Sequence, residues 1–325
     1  MAKEKAIAKR ERGILGALDR KRMREALADS LAEGTRRAYK AALALFSTWT
    51  AARGIKAEEA GADVIAAYLA ARDAEGRAGS TLGKDLAAIV TARAIMGKPL
   101  SDADKGQLAR VLKGLRKKAG RAGRGTGPRK AARADDIKAM VSALPPGLMG
   151  KRDRALLLCG FALMARRGEL VALTVENIEP TSGGYYVHVK GGKTDAEGKG
   201  FVKFLPSSSG PYSPGKALRA WLDAAGIVSG PIFRRIRKGG HIAAEGMTGQ
   251  MVARIIHRAA EEAGIAEAEE FAGHSLRRGA ITEAAEAGAS IYAIMGQSGH
   301  KSAQMVSAYV EARDKREAYP LKGII

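Results

Sequence analysis

The sequence predicts a mainly helical protein of two domains, a helical N-terminal domain and a mixed α/β domain that contains a small β-hairpin. Three observations lead to this prediction. Apolar residues recur every three or four positions through most of the 325-residue chain, as on one face of a helix. A basic, glycine-rich stretch divides the chain after its first third. Strand-like patterns occur at 185–190 and 201–205, separated by a polar turn.

The N-terminal part is expected to be a charged arm followed by a small helical domain. Residues 1–25 are charged and lack a strong apolar period, which indicates a frayed helix or a disordered arm. Residues 26–118 are predicted to form four or five helices, because apolar stripes recur there and no strand pattern does. One stripe, on a helix at 81–97, is interrupted by Arg93, for which we expect a paired structural role.

A basic linker is predicted over residues 119–133. From Lys105 to Arg133 the chain has eleven basic residues and no acidic one. Glycine and proline density is typical of a linker, and the charge favours a segment that lies on nucleic acid. A solvated hinge is the alternative interpretation.

The second domain is predicted to span residues 134–325. It begins with a helix capped by Ala134-Asp135-Asp136, and a mostly apolar, buried helix follows at 151–165. The hairpin then interrupts a helical pattern that resumes beyond residue 213. Further helices are predicted at 214–225, 248–264, 275–288, 290–296 and 302–317.

Charge is the strongest property of the composition. The chain has 55 Lys and Arg against 34 Asp and Glu, a formal net charge of +21. Such an excess predicts a polyanionic partner, most often nucleic acid, although a generally basic proteome or a ribosome-associated protein would also explain it. No apolar run is long enough to span a membrane, the N-terminus lacks a secretory signal, and the single Cys159 fits a reduced compartment. We therefore expect a cytoplasmic protein.

Several motifs carry possible chemistry, and each has a structural alternative. His274 and Arg277 share a helix face and could bind one phosphate. Arg166 stands at the end of the apolar helix, three residues before Glu169, either facing a phosphate or forming a structural pair. Tyr309, taken alone, would pass for a helix-packing aromatic. The sequence has no metal-ligand cluster and no phosphate-binding loop, so no cofactor and no metal are expected.

Taken in order, these residues resemble the tyrosine recombinase (phage integrase) family. That family has an Arg in an R-x-x-E-L box, a hairpin Lys, H-x-x-R, then G-H or G-W, and a Tyr nine residues later. The matching positions are Arg166, Lys193, His274, Arg277, His300 and Tyr309. The stretches 233–238, 273–277, 287–291 and 294–295 also resemble Cre-like members, in which Trp replaces His300. The resemblance covers roughly residues 30–315 and implies a helical DNA core-binding domain joined to a catalytic domain of this type.

The resemblance implies a role for each position. Arg166 and Arg277 would hold the non-bridging oxygens of a DNA phosphate, and His300 would donate a further hydrogen bond. Tyr309 would be the nucleophile, His274 would take or relay its proton, and Lys193 would protonate the leaving oxygen. Glu169 would orient Arg166. Strand exchange would then pass through a 3′-phosphotyrosine and a Holliday junction.

The resemblance and the charge also imply DNA contacts and an assembly. Double-stranded DNA with an inverted-repeat site would be bound by a homotetramer, joined through the tail 310–325, and the protein would associate with the nucleoid. The cations expected at the DNA are Lys84, Lys117, Lys118, Arg121, Arg124, Arg129, Lys130, Arg234, Arg235, Arg237, Lys238, Arg254 and Arg258.

The sequence leaves open one choice within the family and three alternatives outside it. Either a mobile-element integrase or a plasmid dimer resolver would fit the family pattern. A type IB topoisomerase-like enzyme and a DNA-binding protein that no longer cuts are alternatives. A basic RNA-binding protein is the third alternative, against which the six ordered positions argue.

Overall fold

A computed structural model of the chain describes residues 17–124, 130–189 and 200–310. The chain divides into two compact units, residues 1–127 and residues 128–325. The division falls inside the segment that the sequence predicts as a linker. Among the described residues, no helix is long and apolar enough to cross a membrane.

Helices alone form the regular structure that is described in the first unit. The first of them begins inside the predicted N-terminal arm, and the last extends to Arg121, so the first residues of the predicted linker are helical. Ser101 and Asp104 start that last helix with reciprocal side-chain-to-backbone hydrogen bonds. The bounds are α1 Ala17–Asp29, α2 Glu33–Ala51, α3 Ala62–Ala74, α4 Gly79–Ile95 and α5 Asp102–Arg121.

An aromatic pair lies at the centre of the first unit's core. Phe46 on α2 and Tyr68 on α3 meet edge to face, with ring centroids 5.0 Å apart. On α4 the predicted apolar stripe is buried at Leu82 and Ile89, whereas Met96 follows the helix end and is exposed. Arg93 has the expected structural role, because it donates to the backbone carbonyls of residues 58 and 60.

The second unit is built around the buried helix that the sequence predicts. This helix is α7, and its apolar residues from Ala155 to Cys159 are enclosed by the surrounding elements. A separate apolar cluster includes Ile281, Ile294 and Val306. The helices are α6 Ala134–Ala143, α7 Leu148–Ala162, α8 Arg167–Ala172, α9 Pro214–Ala225, α10 Gly249–Glu262, α11 Ser275–Glu286, α12 Ile291–Ser298 and, as far as it is described, α13 Ala303–Val310.

Two small antiparallel sheets interrupt these helices. The first has the order β1-β2-β3, and its strands are β1 Ile178–Thr181, β2 Gly184–Val189 and β3 Phe201–Pro206. The second pairs β4 Arg234–Ile236 with β5 Ile242–Gly246. The sequence predicted β2 and β3 but missed β1, β4 and β5, because strands of three to five residues are too short to show a clear alternation.

Candidate active site

The site is built on the turn that ends α7. Met164 has a positive φ of 45°, and its N–H and that of Ala165 bond back to Phe161 and Gly160. These bonds close the helix end in the manner of a Schellman motif, usually completed by a glycine. The turn leaves the carbonyl oxygens of Leu163 and Met164 as acceptors for two buried cations, which are described below.

Arg166 follows this turn and precedes α8. The sequence placed Arg166 at the end of the apolar helix, but that helix ends at Ala162 and Arg166 caps the next one. Glu169 bonds both the backbone N–H of Arg166, at 3.0 Å, and its guanidinium, at 2.5 Å. The Arg166 side chain stays about one-third exposed, at 34%, so it is held in place and still reaches solvent.

Lys203 on β3 contacts the same carboxylate and was not singled out in the sequence. Its Nζ donates to Glu169 at 3.0 Å and to the carbonyl of Leu163 at 2.7 Å. Burial lowers the pKa of Lys203 to about 8, although the charge of Glu169 opposes the shift. Burial raises the pKa of Glu169, but Lys203 and Arg166 outweigh it, so that pKa is lowered.

Arg277 on α11 is the second arginine of the site, and it is buried. One guanidinium nitrogen donates to the carbonyls of Met164, at 2.7 Å, and Ser298, at 2.6 Å. Burial, followed by the charge of Arg166, lowers the pKa of Arg277 to about 10, so the guanidinium stays charged at neutral pH. Arg277 and Arg166 reach the carbonyls of two adjacent residues, Ser298 and Gly299, so the two cations lie close together.

His300 lies against Arg277 just after α12. Its Nε2 is 2.9 Å from the guanidinium of Arg277, and its Nδ1 is 2.9 Å from the hydroxyl of Ser298. Burial, followed by the charges of Arg277 and Arg166, lowers the pKa of His300 to about 4, so the ring is neutral at pH 7. Because arginine can only donate, we infer that Nε2 accepts and Nδ1 carries the proton. In this arrangement Nε2 accepts from Arg277, and the expectation that His300 donates a hydrogen bond to a phosphate stays a prediction.

Gly299 sets the position of His300. It ends α12 with φ of 70°, a left-handed conformation that glycine adopts without strain. A Cβ at this position would lie 2.5 Å from the ring of Phe201 on β3, so a side chain would also collide with the sheet. The Gly299 carbonyl is 3.5 Å from a guanidinium nitrogen of Arg166.

Tyr309 on α13 is adjacent to His300. The two ring centroids are 6.4 Å apart, and Tyr309 is partly buried against the apolar cluster of α11 and α12. Direct contacts therefore link four of the six residues that the sequence singled out: Arg166, Arg277, His300 and Tyr309.

His274 is at the start of α11, and Arg167 lies near it. Burial, then the charge of Arg167, lowers the pKa of His274, so a neutral ring able to accept a proton is favoured. The side chain of Arg167 passes over Gly249 and Gly273, where added Cβ atoms would be 2.9 Å from its Nε and 2.6 Å from its Cδ. The remaining residue of the set, Lys193, lies outside the described residues.

In the first unit, two of the cations expected at DNA have internal partners. Lys118 and Arg124 each reach the buried carboxylate of Asp73 at 2.8 Å. The sequence did not predict these pairs, which tie the end of α5 to α3. The other three cations are exposed and form no ion pair or side-chain hydrogen bond with another described residue; they are Lys84, Lys117 and Arg121.

In the second unit the expected DNA cations divide in the same way. Lys130 pairs with Glu267 at 2.9 Å, Arg234 bonds backbone carbonyls, and Arg258 pairs with the buried carboxylate of Asp153. Arg129 lies outside the described residues. The exposed cations without an ion pair or side-chain hydrogen bond to another described residue are Arg235, Arg237, Lys238 and Arg254. Arg235 on β4 and Arg254 on α10 line one open cavity.

Comparison with known protein families yields two matches. Residues 130–316 match the model described as the phage integrase family. Residues 26–91 match the phage integrase N-terminal SAM-like domain. Together the two matches extend over both compact units.

Individual relatives agree with the family matches. The chain is 31% identical to an integrase/recombinase xerD homolog of Selenomonas ruminantium, over 88% of this chain and 83% of that protein. It is 28% identical to recombinase cre of Escherichia phage P1, over half of each chain.

Solved structures share the fold. One is the XerH site-specific recombinase bound to palindromic difH substrate, with a TM-score of 0.64, 16% identity, and coverage of 88% of this chain and 78% of that one. Another is a lambda integrase dimer bound to a COC′ core site, with a TM-score of 0.59, 19% identity, and coverage of 90% and 77%.

Proposed function

The chain belongs to the phage integrase family, the tyrosine recombinases that cut and rejoin DNA at specific sites, and we propose here which of its residues perform the reaction. One observation carries the assignment. Arg277 bonds His300 at 2.9 Å, and the ring of His300 lies 6.4 Å from that of Tyr309. Arg166 reaches the same segment at the Gly299 carbonyl, 3.5 Å away, so two cations and a phenol lie close to His300.

Arg166 and Arg277 bind the scissile phosphate. A phosphodiester is a poor electrophile because it is negatively charged, and its charge increases in the pentacoordinate transition state. Guanidinium groups that are fixed before the substrate arrives stabilise that charge without reorganisation. Glu169 fixes Arg166, while the Met164 and Ser298 carbonyls and His300 fix Arg277.

Tyr309 is the nucleophile. Its oxygen attacks phosphorus, the bond from phosphorus to the DNA 5′-oxygen breaks, and a 3′-phosphotyrosine forms. A phenol needs help to lose its proton at neutral pH. His274, whose pKa is lowered by burial and by the charge of Arg167, accepts this proton as a neutral ring. Lys193 gives a proton to the leaving 5′-oxygen, a role that rests on the family pattern.

His300 acts as a positioning residue for Arg277 in this proposal. Its neutral ring accepts from the guanidinium and is itself held by Ser298. A 5′-hydroxyl from the partner strand later attacks the phosphotyrosine and reverses the first step, which leads through a Holliday junction to the recombinant strands.

The DNA backbone contacts the exposed cations that form no ion pair or side-chain hydrogen bond with another described residue. In the second unit these include Arg235 and Arg254, and in the first unit Lys84 on α4. We also propose that a homotetramer acts on an inverted-repeat site in nucleoid DNA, joined by the tail that begins at residue 310, whose residues 311–325 lie outside the described chain. The apolar end of that tail, Leu321 to Ile325, supports a buried location.

A nicked duplex that traps the covalent intermediate tests the catalytic assignment. The duplex carries an inverted-repeat candidate site from the DNA that flanks the gene, and loss of a short 5′-terminal fragment makes cleavage irreversible. We expect wild-type protein to form an adduct that survives denaturing electrophoresis, and Tyr309→Phe to form none. The assignment is wrong if Tyr309→Phe still forms the adduct while Tyr292→Phe, a change at an exposed tyrosine of the same unit, behaves as wild type.

A further inference from the structure

Lys203 is a buried cation that the proposed mechanism does not use. Its side chain is fully enclosed, at 0% exposure, beside the catalytic arginines. An ammonium group is costly to bury unless charge and hydrogen bonds compensate it. A residue placed there solely to fill the core would be apolar, so the charge itself calls for an explanation.

The contacts of Lys203 lead to both arginines of the site. Through Glu169 it shares a carboxylate with Arg166, since the three groups form one hydrogen-bonded chain. Through the carbonyl of Leu163 it holds the turn whose next carbonyl, that of Met164, accepts from Arg277. One ammonium group thus fixes a support of each guanidinium.

Charge balance gives Lys203 a part in the reaction cycle. In the free protein Glu169 is compensated by Arg166 and Lys203 together. When a phosphate binds, Arg166 shares its positive charge with the substrate and compensates Glu169 less. Lys203 has no access to solvent or substrate, so its charge stays on Glu169 throughout and keeps that carboxylate ionised and in place.

We propose that Lys203 is a positioning residue for DNA cleavage, which holds Glu169 and the turn after α7 so that Arg166 and Arg277 meet the scissile phosphate in a fixed arrangement. It is not a general acid, because its Nζ is enclosed and already bonds two acceptors of the protein. This inference rests on the proposed role of Arg166 and Arg277 as phosphate ligands.

The test compares Lys203→Met, an unbranched side chain one atom shorter and without charge, with Lys203→Arg, which keeps the charge. We expect Lys203→Met to slow single-turnover cleavage of the nicked duplex by about tenfold or more, the effect of losing a charged hydrogen bond. DNA affinity should stay within about twofold of wild type, because Lys203 touches no DNA. Lys203→Arg should recover most of the rate. The exposed Lys216→Met is the matched control.

A charge-neutral substrate separates positioning from folding. A methylphosphonate at the scissile position removes the negative charge that the arginines neutralise, so the loss caused by Lys203→Met should shrink on this duplex. A defect in folding would slow cleavage of both duplexes equally. An equal loss on both duplexes, or no loss on either, would overturn the inference.

The pH profile is a second readout that does not depend on a destabilised variant. The charged groups around Lys203 are Glu169 at the start of α8, Arg166 before it, Arg277 on α11 and His300 after α12. Because the pKa of Lys203 is about 8, cleavage by wild type should fall as pH rises above that value. Lys203→Arg should keep its rate there, since guanidinium stays charged. If the cleavage rates of wild type and Lys203→Arg fell equally above pH 8, the inference would be contradicted.

Arg166→Gln distinguishes the two possible failures. If Arg166→Gln cleaves normally, the proposed site is wrong, and the positioning role proposed for Lys203 fails with it. If Arg166→Gln abolishes cleavage but Lys203→Met and Lys203→Arg both cleave as wild type at all pH values, only the inference about Lys203 fails.

Discussion

Arg277 donates a hydrogen bond of 2.9 Å to Nε2 of His300, and this contact defines the chemistry available to both residues. It leaves the guanidinium charged and oriented, and it makes the histidine an acceptor. The ring of Tyr309 lies near the same histidine, with the two ring centroids 6.4 Å apart. Tyr309, the proposed nucleophile, and Arg277, a proposed phosphate ligand, therefore both lie next to one neutral imidazole.

Replacing His300 tests its role as an acceptor. His300→Phe leaves a buried N–H of Arg277 without a partner, so we expect single-turnover cleavage to fall by about 10- to 100-fold, equivalent to about 1.5–3 kcal/mol. His300→Gln retains an acceptor oxygen and should stay within about tenfold of wild type. Equal losses for Phe and Gln would contradict the acceptor role.

The stability of the second unit should depend on the protonation of His300. Burial and two neighbouring arginines lower its pKa from 6.5 to about 4 in the folded state. Between these values the unfolded chain binds the proton more readily, so the free energy of unfolding falls as pH decreases from about 6.5 to about 4, by roughly 3 kcal/mol at most. Urea titrations should show a shallower decline for His300→Gln. Parallel declines in both proteins would refute the prediction.

Two glycines at the end of α12 should respond oppositely to alanine. Gly299→Ala introduces a Cβ 2.5 Å from Phe201 at a φ of 70°, so we expect a loss of about 1–3 kcal/mol in the free energy of unfolding and a slower cleavage step. Gly296→Ala in the same helix is the matched control, because a Cβ at that position would meet no atom within 4 Å. It should be neutral or stabilise by up to about 1 kcal/mol. Thermal denaturation measures both.

Two arginines one turn apart on α10 should have different functions. Arg254 is exposed and unpaired among the described residues, so Arg254→Gln should weaken DNA binding and lower the slope of log K against log salt by about 1. Arg258 pairs with the buried carboxylate of Asp153, so Arg258→Gln should mainly lower the free energy of unfolding, by about 1–2 kcal/mol because Arg152 still pairs with that carboxylate.

Fluorescence anisotropy at several salt concentrations and urea titration distinguish the two effects. A salt slope that changes equally in both variants would show that Arg258 also reaches DNA.

The helices of this chain could be predicted because their signals are local. Leu82 and Ile89 repeat at helical spacing, and the start of α6 at Ala134 carries its acidic capping residues in the adjacent positions. β1 and the β4–β5 hairpin could not be predicted, because strands this short are stabilised by pairing with other segments and leave little periodicity of their own.

The sequence by itself determined which residues are candidates for the chemistry: Arg166, Lys193, His274, Arg277, His300 and Tyr309 stand in the order and spacing of one family. Only the tertiary structure decided what several of them contact. In the structure Nε2 of His300 accepts a hydrogen bond from Arg277. Outside the candidate set, Lys203 bonds Glu169, and Arg258 pairs with Asp153 whereas Arg254 is exposed. The physical reason is that hydrogen bonds and ion pairs form between residues up to a hundred or more positions apart. Periodicity in the sequence indicates which face of a helix or strand is buried, but it does not indicate which distant side chain will contact that face.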